Sequence, residues 1–168
     1  MTEESKPPTS LSTVIQALTN DEQDPGVVQT VVERVQQILT SDEHIQYVAV
    51  QKRPLINIAP DCVVLTNRRF IVYRPKLLGQ ASFEDYSWRD LQDAKLDELI
   101  LGSTFTMKTI DGRLTSADYL PRTQARRLYA FAQEMEERVR ELGGTLTLES
   151  GATAGTSVKA RLPIGGNA

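Results

Sequence analysis

The chain has 168 residues, one cysteine (Cys62), one histidine (His44) and a formal net charge of -3. A single cysteine excludes a disulfide scaffold and a cysteine-based zinc site, and a single histidine removes the usual general base unless His44 is itself that group. A sequence pI near 5.3 argues against strong non-specific binding to nucleic acid.

The first 26 residues carry five acids and one base, and residues 27–168 sum to +1. Residues 1–26 therefore read as an acidic, largely disordered tail, with Pro7-Pro8 in its polar first ten residues. Leu11, Val14, Ile15 and Leu18 recur within it at the spacing of a short helix. The start MTEESKPPTS lacks the basic-then-apolar pattern of a secretion signal, so a cytoplasmic location is expected. No apolar run approaches the ~20 residues needed to cross a bilayer.

Asp24 is a candidate N-cap, and Pro25 sits where a missing N–H costs nothing. Val28, Val31, Val32, Val35, Ile38 and Leu39 then mark one apolar helical face, which Thr40-Ser41-Asp42 terminates. From Glu43 the period changes to two. Ile45, Tyr47 and Ala49 alternate with His44, Gln46 and Val48 as a first strand. Residues 62–66 and 70–73 are two strands joined by a tight Asn67-Arg68 turn, residues 82–87 a fourth strand and residues 91–101 a fifth. Residues 104–110 place Phe105 and Met107 on one face and Thr106 and Lys108 on the other. Asp111-Gly112 is a strong hairpin signal, because a type I′ turn needs positive φ at both central residues, and residues 114–119 complete the hairpin.

Pro121 opens a helix to about residue 142, with Leu128, Phe131, Ala132, Met135, Val139 and Leu142 along one stripe and Gly143-Gly144 as C-cap. Seven short antiparallel strands must sandwich or roll into a barrel, and the helix must bury its stripe. A mainly β roll capped at one end by that helix meets both needs.

The stretch Val63-Val64-Leu65-Thr66-Asn67-Arg68-Arg69-Phe70-Ile71-Val72-Tyr73 resembles the strand-turn-strand hallmark of bacterial pleckstrin-homology-like domains. The resemblance covers about residues 27–142 and implies an antiparallel β-roll of about seven strands capped by a C-terminal helix, here with an N-terminal helix in front. Thr66, Asn67 and Arg69 are expected to be structural residues of the turn. The hydroxyl and amide can bind nearby backbone, and the arginine can reach a carboxylate. Residues 143–168 form an appended β-hairpin and tail. Within them, and from Met135 to Ile164, the segments Leu142-Gly143-Gly144 and Gly155-Thr156-Ser157-Val158 resemble the end of a histidine-kinase ATPase domain. The phosphate- and adenine-holding motifs of that family are missing, so nucleotide binding is not expected and residues 145–162 read as a structural hairpin.

No phosphate loop, dinucleotide fingerprint, nucleophile elbow or zinc-protease motif occurs, so no enzyme, metal or cofactor is expected. His44 reads as exposed or structural, Cys62 as a small core residue and Trp88 as packed under the C-terminal helix. Charge is the remaining signal. Residues 51–76 hold six bases against Asp61, a net +5, and residues 84–98 a net -4. In the resembled fold Lys52, Arg53, Arg74 and Lys76 fall on loops at one open end, a candidate anion-binding set. The leading expectation is a non-enzymatic binding or assembly module acting through protein–protein contact, including head-to-tail self-association of the two charge sets. Trp88 or the valine face of residues 27–39 would be its apolar anchor. The alternatives are a peripheral membrane or anionic-lipid binding module using those four bases, and a regulatory remnant of a signalling kinase.

Overall fold

A computed structural model describes residues 21–55, 58–141, 145–150 and 156–161. Asp24 opens helix α1 (Pro25–Gln36): its carboxylate accepts from the backbone N–H groups of Gly26 and Val27 at 2.8 and 3.2 Å. Val28, Val31, Val32 and Val35 are buried along one face, and the helix stops three residues short of the expected end, leaving Ile38 exposed.

Four strands follow in one antiparallel sheet of order β1-β2-β3-β4: β1 (Ile45–Val50), β2 (Cys62–Thr66), β3 (Arg69–Pro75) and β4 (Ala81–Ser87). A second antiparallel sheet has the order β5-β6-β7: β5 (Leu91–Leu99), β6 (Gly102–Thr109) and β7 (Leu114–Leu120). Helix α2 (Arg122–Glu141) follows β7. The inner faces of both sheets and the stripe of α2 share one core, in which Phe70, Phe105, Leu65, Met107, Leu120 and Leu128 are fully enclosed. Trp88 lies in this core with its ring 5.5 Å from that of Phe131 on α2, and its Nε1 donates to the Thr66 carbonyl at 2.9 Å. This is the mainly β, helix-capped roll expected from the strand count.

The first sheet has a second core on its other face. Val28, Val31, Val32 and Val35 of α1 pack with Val48, Val50, Cys62, Val64, Ile71 and Tyr73. Val48 was expected on a polar face, but α1 covers that face, so β1 is buried on both sides from Tyr47 to Val50. This corrects the idea that α1 offers a free apolar anchor: its valines are already spent against the sheet, as Trp88 is inside the roll.

Residues 21–26, grouped by sequence with the tail, are built into this body. Tyr47 donates its hydroxyl to Asp21 Oδ2 at 2.8 Å, and Gln23 Nε2 donates to the Val48 carbonyl at 2.9 Å. Gln124 of α2 joins both, accepting from Val50 N at 2.8 Å and donating to the Asp21 carbonyl at 3.0 Å. Burial, then the hydrogen bond and charge of Asp21, hold the Tyr47 phenol well above its usual range. The helical pattern of residues 11–18 lies outside the described residues.

Strands β8 (Thr145–Ser150) and β9 (Thr156–Arg161) pair antiparallel, Thr145 with Arg161 and Ser150 with Thr156, and β9 runs beside β5. The expected connection at residues 151–155 lies outside the described residues. No described helix is long and apolar enough to cross a membrane.

Candidate functional site

The β2–β3 turn is tied to the chain that enters β1. Thr66 Oγ1 donates to Glu43 Oε1 at 2.7 Å and accepts from the backbone N–H of Arg68 and Arg69 at 3.1 and 2.9 Å. Asn67 bridges backbone in both senses: its Nδ2 donates to the Asp42 carbonyl and its Oδ1 accepts from His44 N, both at 2.9 Å. Arg69 spans Glu43, Asp85 of β4 at 3.1 Å and the Ile38 carbonyl at 2.8 Å. Burial raises the Glu43 carboxyl pKa, but hydrogen bonds from Arg69, Thr66 and Thr40 and the Arg69 charge outweigh it, leaving the group below its ordinary value. All these groups satisfy one another, which leaves little for a ligand to take.

The four bases of the candidate anion set are divided. Asp61, at the foot of β2, accepts Arg74 at 3.0 Å and Arg53 at 3.8 Å, and Arg74 also reaches Glu84 at 3.3 Å. Two arginines are thus largely neutralised by acids of the same molecule. Lys52 and Lys76 are exposed and make no ion pair among the described residues. Lys52 is held by its backbone, whose N–H donates to the Tyr119 carbonyl at 2.8 Å, where the end of β1 meets the end of β7.

The same pairing runs through the acidic stretch: Glu84 meets Arg74, Asp85 meets Arg69, Asp97 meets Lys95 and Glu98 meets Arg126. Two of these pairs, Arg74 with Glu84 and Arg69 with Asp85, join the +5 segment to the -4 segment across β3 and β4. Lys52 and Lys76 stay outside these pairs among the described residues.

Apolar surface is open as well. Leu99, Ile100 and Leu101 stand in a row at the β5–β6 tip, 57%, 96% and 65% exposed. With Gly102, Thr104, Asp118 and Tyr119 they line a concavity of about 450 Å³. Gly102 has φ 134°, and a Cβ there would meet the Tyr119 backbone at 3.0 Å, so the residue is glycine because β6 starts hard against β7. Leu55 and Ile58 between β1 and β2, and Leu77 and Leu78 between β3 and β4, are almost wholly exposed. Sequence reasoning extended β5 to residue 101, two residues past its end at Leu99. The signal it passed over was an unbroken Leu-Ile-Leu run where a hairpin tip ordinarily carries polar residues.

His44 is exposed and its backbone, not its ring, is engaged by Asn67. Among the described residues no group of three or more His, Cys, Asp or Glu is placed to hold a metal ion.

No curated protein matches the chain. Two solved structures are similar at 12% identity. One is the crystal structure of a pleckstrin homology domain from Shewanella amazonensis SB2B, with a TM-score of 0.42 over 61% of this chain and 95% of that one. The other is the hSac2 domain of the human phosphoinositide phosphatase Sac2, with a TM-score of 0.44 over 68% of this chain and 84% of that one. The comparisons give the histidine-kinase resemblance of residues 135–164 no support. The family model described as "Bacterial PH domain" matches residues 39–134, which run from the start of the turn network to the middle of α2. With more than half its length so matched, the chain belongs to the bacterial PH domain family.

Proposed function

We propose that the chain is a non-enzymatic binding module whose partner is a protein seated on the groove at the β5–β6 tip. The carrying observation is the row Leu99-Ile100-Leu101, left open beside a concavity of pocket size. Aliphatic side chains clustered at a concave rim, with polar groups around them, are the anatomy of a protein contact. A non-catalytic role is supported by the engaged state of the polar groups: Glu43 is closed on Arg69, and Asp61 on Arg53 and Arg74. A photo-crosslinking residue at position 100 tests the reading in cells that make the protein. It should capture one protein species, whereas the same residue at exposed Lys108 on β6 should capture none. No adduct at position 100 refutes it.

A second reading has its own observation. The loops bearing Leu55, Ile58, Leu77 and Leu78 also bear Lys52, Arg53 and Lys76, and exposed aliphatics beside cations suit an anionic bilayer surface. Co-sedimentation with phosphatidylglycerol-containing vesicles, lost in Leu55→Asp and in high salt, would support it; no binding to such vesicles removes it.

A further inference from the structure

We propose that the groove at the β5–β6 tip has a resting occupant within this chain: residues 11–18, seated on it as a short amphipathic helix that a partner must displace. The inference rests on the groove being a protein-binding surface and adds what regulates access to it.

The point from which that segment departs is fixed beside the groove. Asp21 is buried, and its carboxylate accepts from the Tyr47 hydroxyl and from Arg127 Nε, both at 2.8 Å. Its N–H donates to Gln23 Oε1 at 3.0 Å. Its carbonyl accepts from Gln124 Nε2, and the oxygen of the same amide accepts from Val50 N. The two residues after Val50 touch the groove itself. Gln51 Nε2 donates to the Asp118 carboxylate, and Lys52 N donates to the Tyr119 carbonyl at 2.8 Å. Two residues of chain span at most ~7 Å, so the anchor of Asp21 lies close to the groove wall. Leu18 stands three residues before Asp21, a reach of up to ~10 Å.

The segment has the composition such a seat requires. At helical spacing Leu11, Val14, Ile15 and Leu18 share one face, and Ser12, Thr13 and Gln16 fall on the opposite side. No charged residue stands between Lys6 and Asp21, so the apolar face can settle on aliphatic walls without dehydrating a charge. Eight residues of helix are about 12 Å long, too short to hold in water unaided, and form where a surface buries their apolar face. The row Leu99-Ile100-Leu101 is an open aliphatic surface within reach, and the concavity of about 450 Å³ beside it can enclose small apolar groups.

A tethered cover sets a threshold for binding. The anchor at Asp21 keeps the segment at high local concentration beside the groove. A partner must outcompete it, and its apparent affinity falls with the fraction of molecules that are covered. Poorly matched apolar segments are thereby turned away, a well-matched partner displaces the cover, and the aliphatic row is shielded when no partner is present.

Photo-crosslinking within the purified full chain tests this. A crosslinking residue at position 100 should give an adduct of monomer mass that peptide mass spectrometry maps to residues 11–18, and the same residue at position 108 should give none. Ile15→Asp together with Leu18→Asp should remove that adduct. The double variant should melt as before, because Asp21 and its partners are untouched, and should raise capture of the partner from position 100 in cells severalfold. No adduct, an adduct mapped to another segment, or an adduct of dimer mass would each overturn the proposal. So would an adduct to residues 11–18 from position 55 in place of position 100, or a double variant that crosslinks like the wild type. If the purified chain gives no adduct while position 100 still captures another protein in cells, the cover is wrong and the groove reading stands. If the adduct forms and the double variant captures nothing in cells, the segment has its seat and the reading of the groove as a partner site falls.

Discussion

Arg69 meets Glu43 through two parallel hydrogen bonds, Nε to Oε1 at 2.9 Å and Nη2 to Oε2 at 3.0 Å, with the carboxylate side chain only 1% exposed. The fork also reaches Ile38 and Asp85, so one guanidinium joins the end of α1, the entry to β1, the β2–β3 turn and β4. Arg69→Met leaves the carboxylate buried without its cation and should cost about 3 kcal/mol in urea unfolding. Arg69→Lys keeps the charge but not the planar fork, and should recover only part of the loss. An unchanged midpoint for Arg69→Met would show that the pair contributes nothing.

The same carboxylate sets an acid limit. Its folded pKa lies below its ordinary value of 4.5, so its contribution is fully present above that value and is lost as pH falls through the folded pKa. Wild-type stability should therefore decline as the pH drops below about 4.5. A Glu43→Gln variant, less stable at neutral pH, should decline less steeply there. Parallel pH–stability curves for the two proteins would contradict this.

Two substitutions on α2 separate enclosed from half-open packing. Leu128 is fully enclosed, and Leu128→Ala should cost about 3 kcal/mol through the cavity it leaves. Phe131 is only half-buried against Trp88, so Phe131→Ala should cost less than a fully buried phenylalanine would, and should shift the Trp88 emission. A larger loss at Phe131 than at Leu128 would reverse the ranking.

On α1 the fully buried Val32 tests the second core. Val32→Ala should cost about 2 kcal/mol, and Val32→Asp should expose the outer face of the first sheet and bring on aggregation. A soluble Val32→Asp protein with wild-type stability would mean that α1 does not hold that face.

Cys62 offers a reporter. Burial, and then the charge of Asp61, push its thiol up to about 12. A disulfide reagent at pH 8 should leave the folded protein unmodified and react once denaturant opens it. Rapid reaction in native buffer would show that the β2 side of the outer core is open.

Much of the fold was legible in the sequence because each strand carries its own period and each turn its own chemistry. Asp24-Pro25, Asn67-Arg68 and Asp111-Gly112 mark boundaries by local backbone preference, and Leu128, Ala132 and Met135 repeat at helical spacing. Val48 and Val50 were harder. A period-two reading allots one face to water, and only the fold reveals that α1 covers it. The partial pairing of the charge segments within the molecule was hidden for a related reason. Sums along the chain omit the pairing of β3 with β4, which sets Arg74 beside Glu84 and Arg69 beside Asp85. The groove was not legible, because Leu99, Ile100 and Leu101 have the composition of a core strand and only the position of the tip makes them surface.

Neighbouring residues of β2 answer to different helices: Val63 and Leu65 face the core shared with α2, while Val64 and Cys62 face α1. The sheet is thus a party wall between two compartments that need not open together. Undocking α1 would bare Val48, Val64 and Ile71 while Leu65, Phe70 and Leu128 stayed dry. Amide exchange should then divide the molecule into a lower-energy opening of α1 and a global opening of the roll. A transient state with an intact roll and an uncovered valine face is the form in which this chain would be most prone to unintended association.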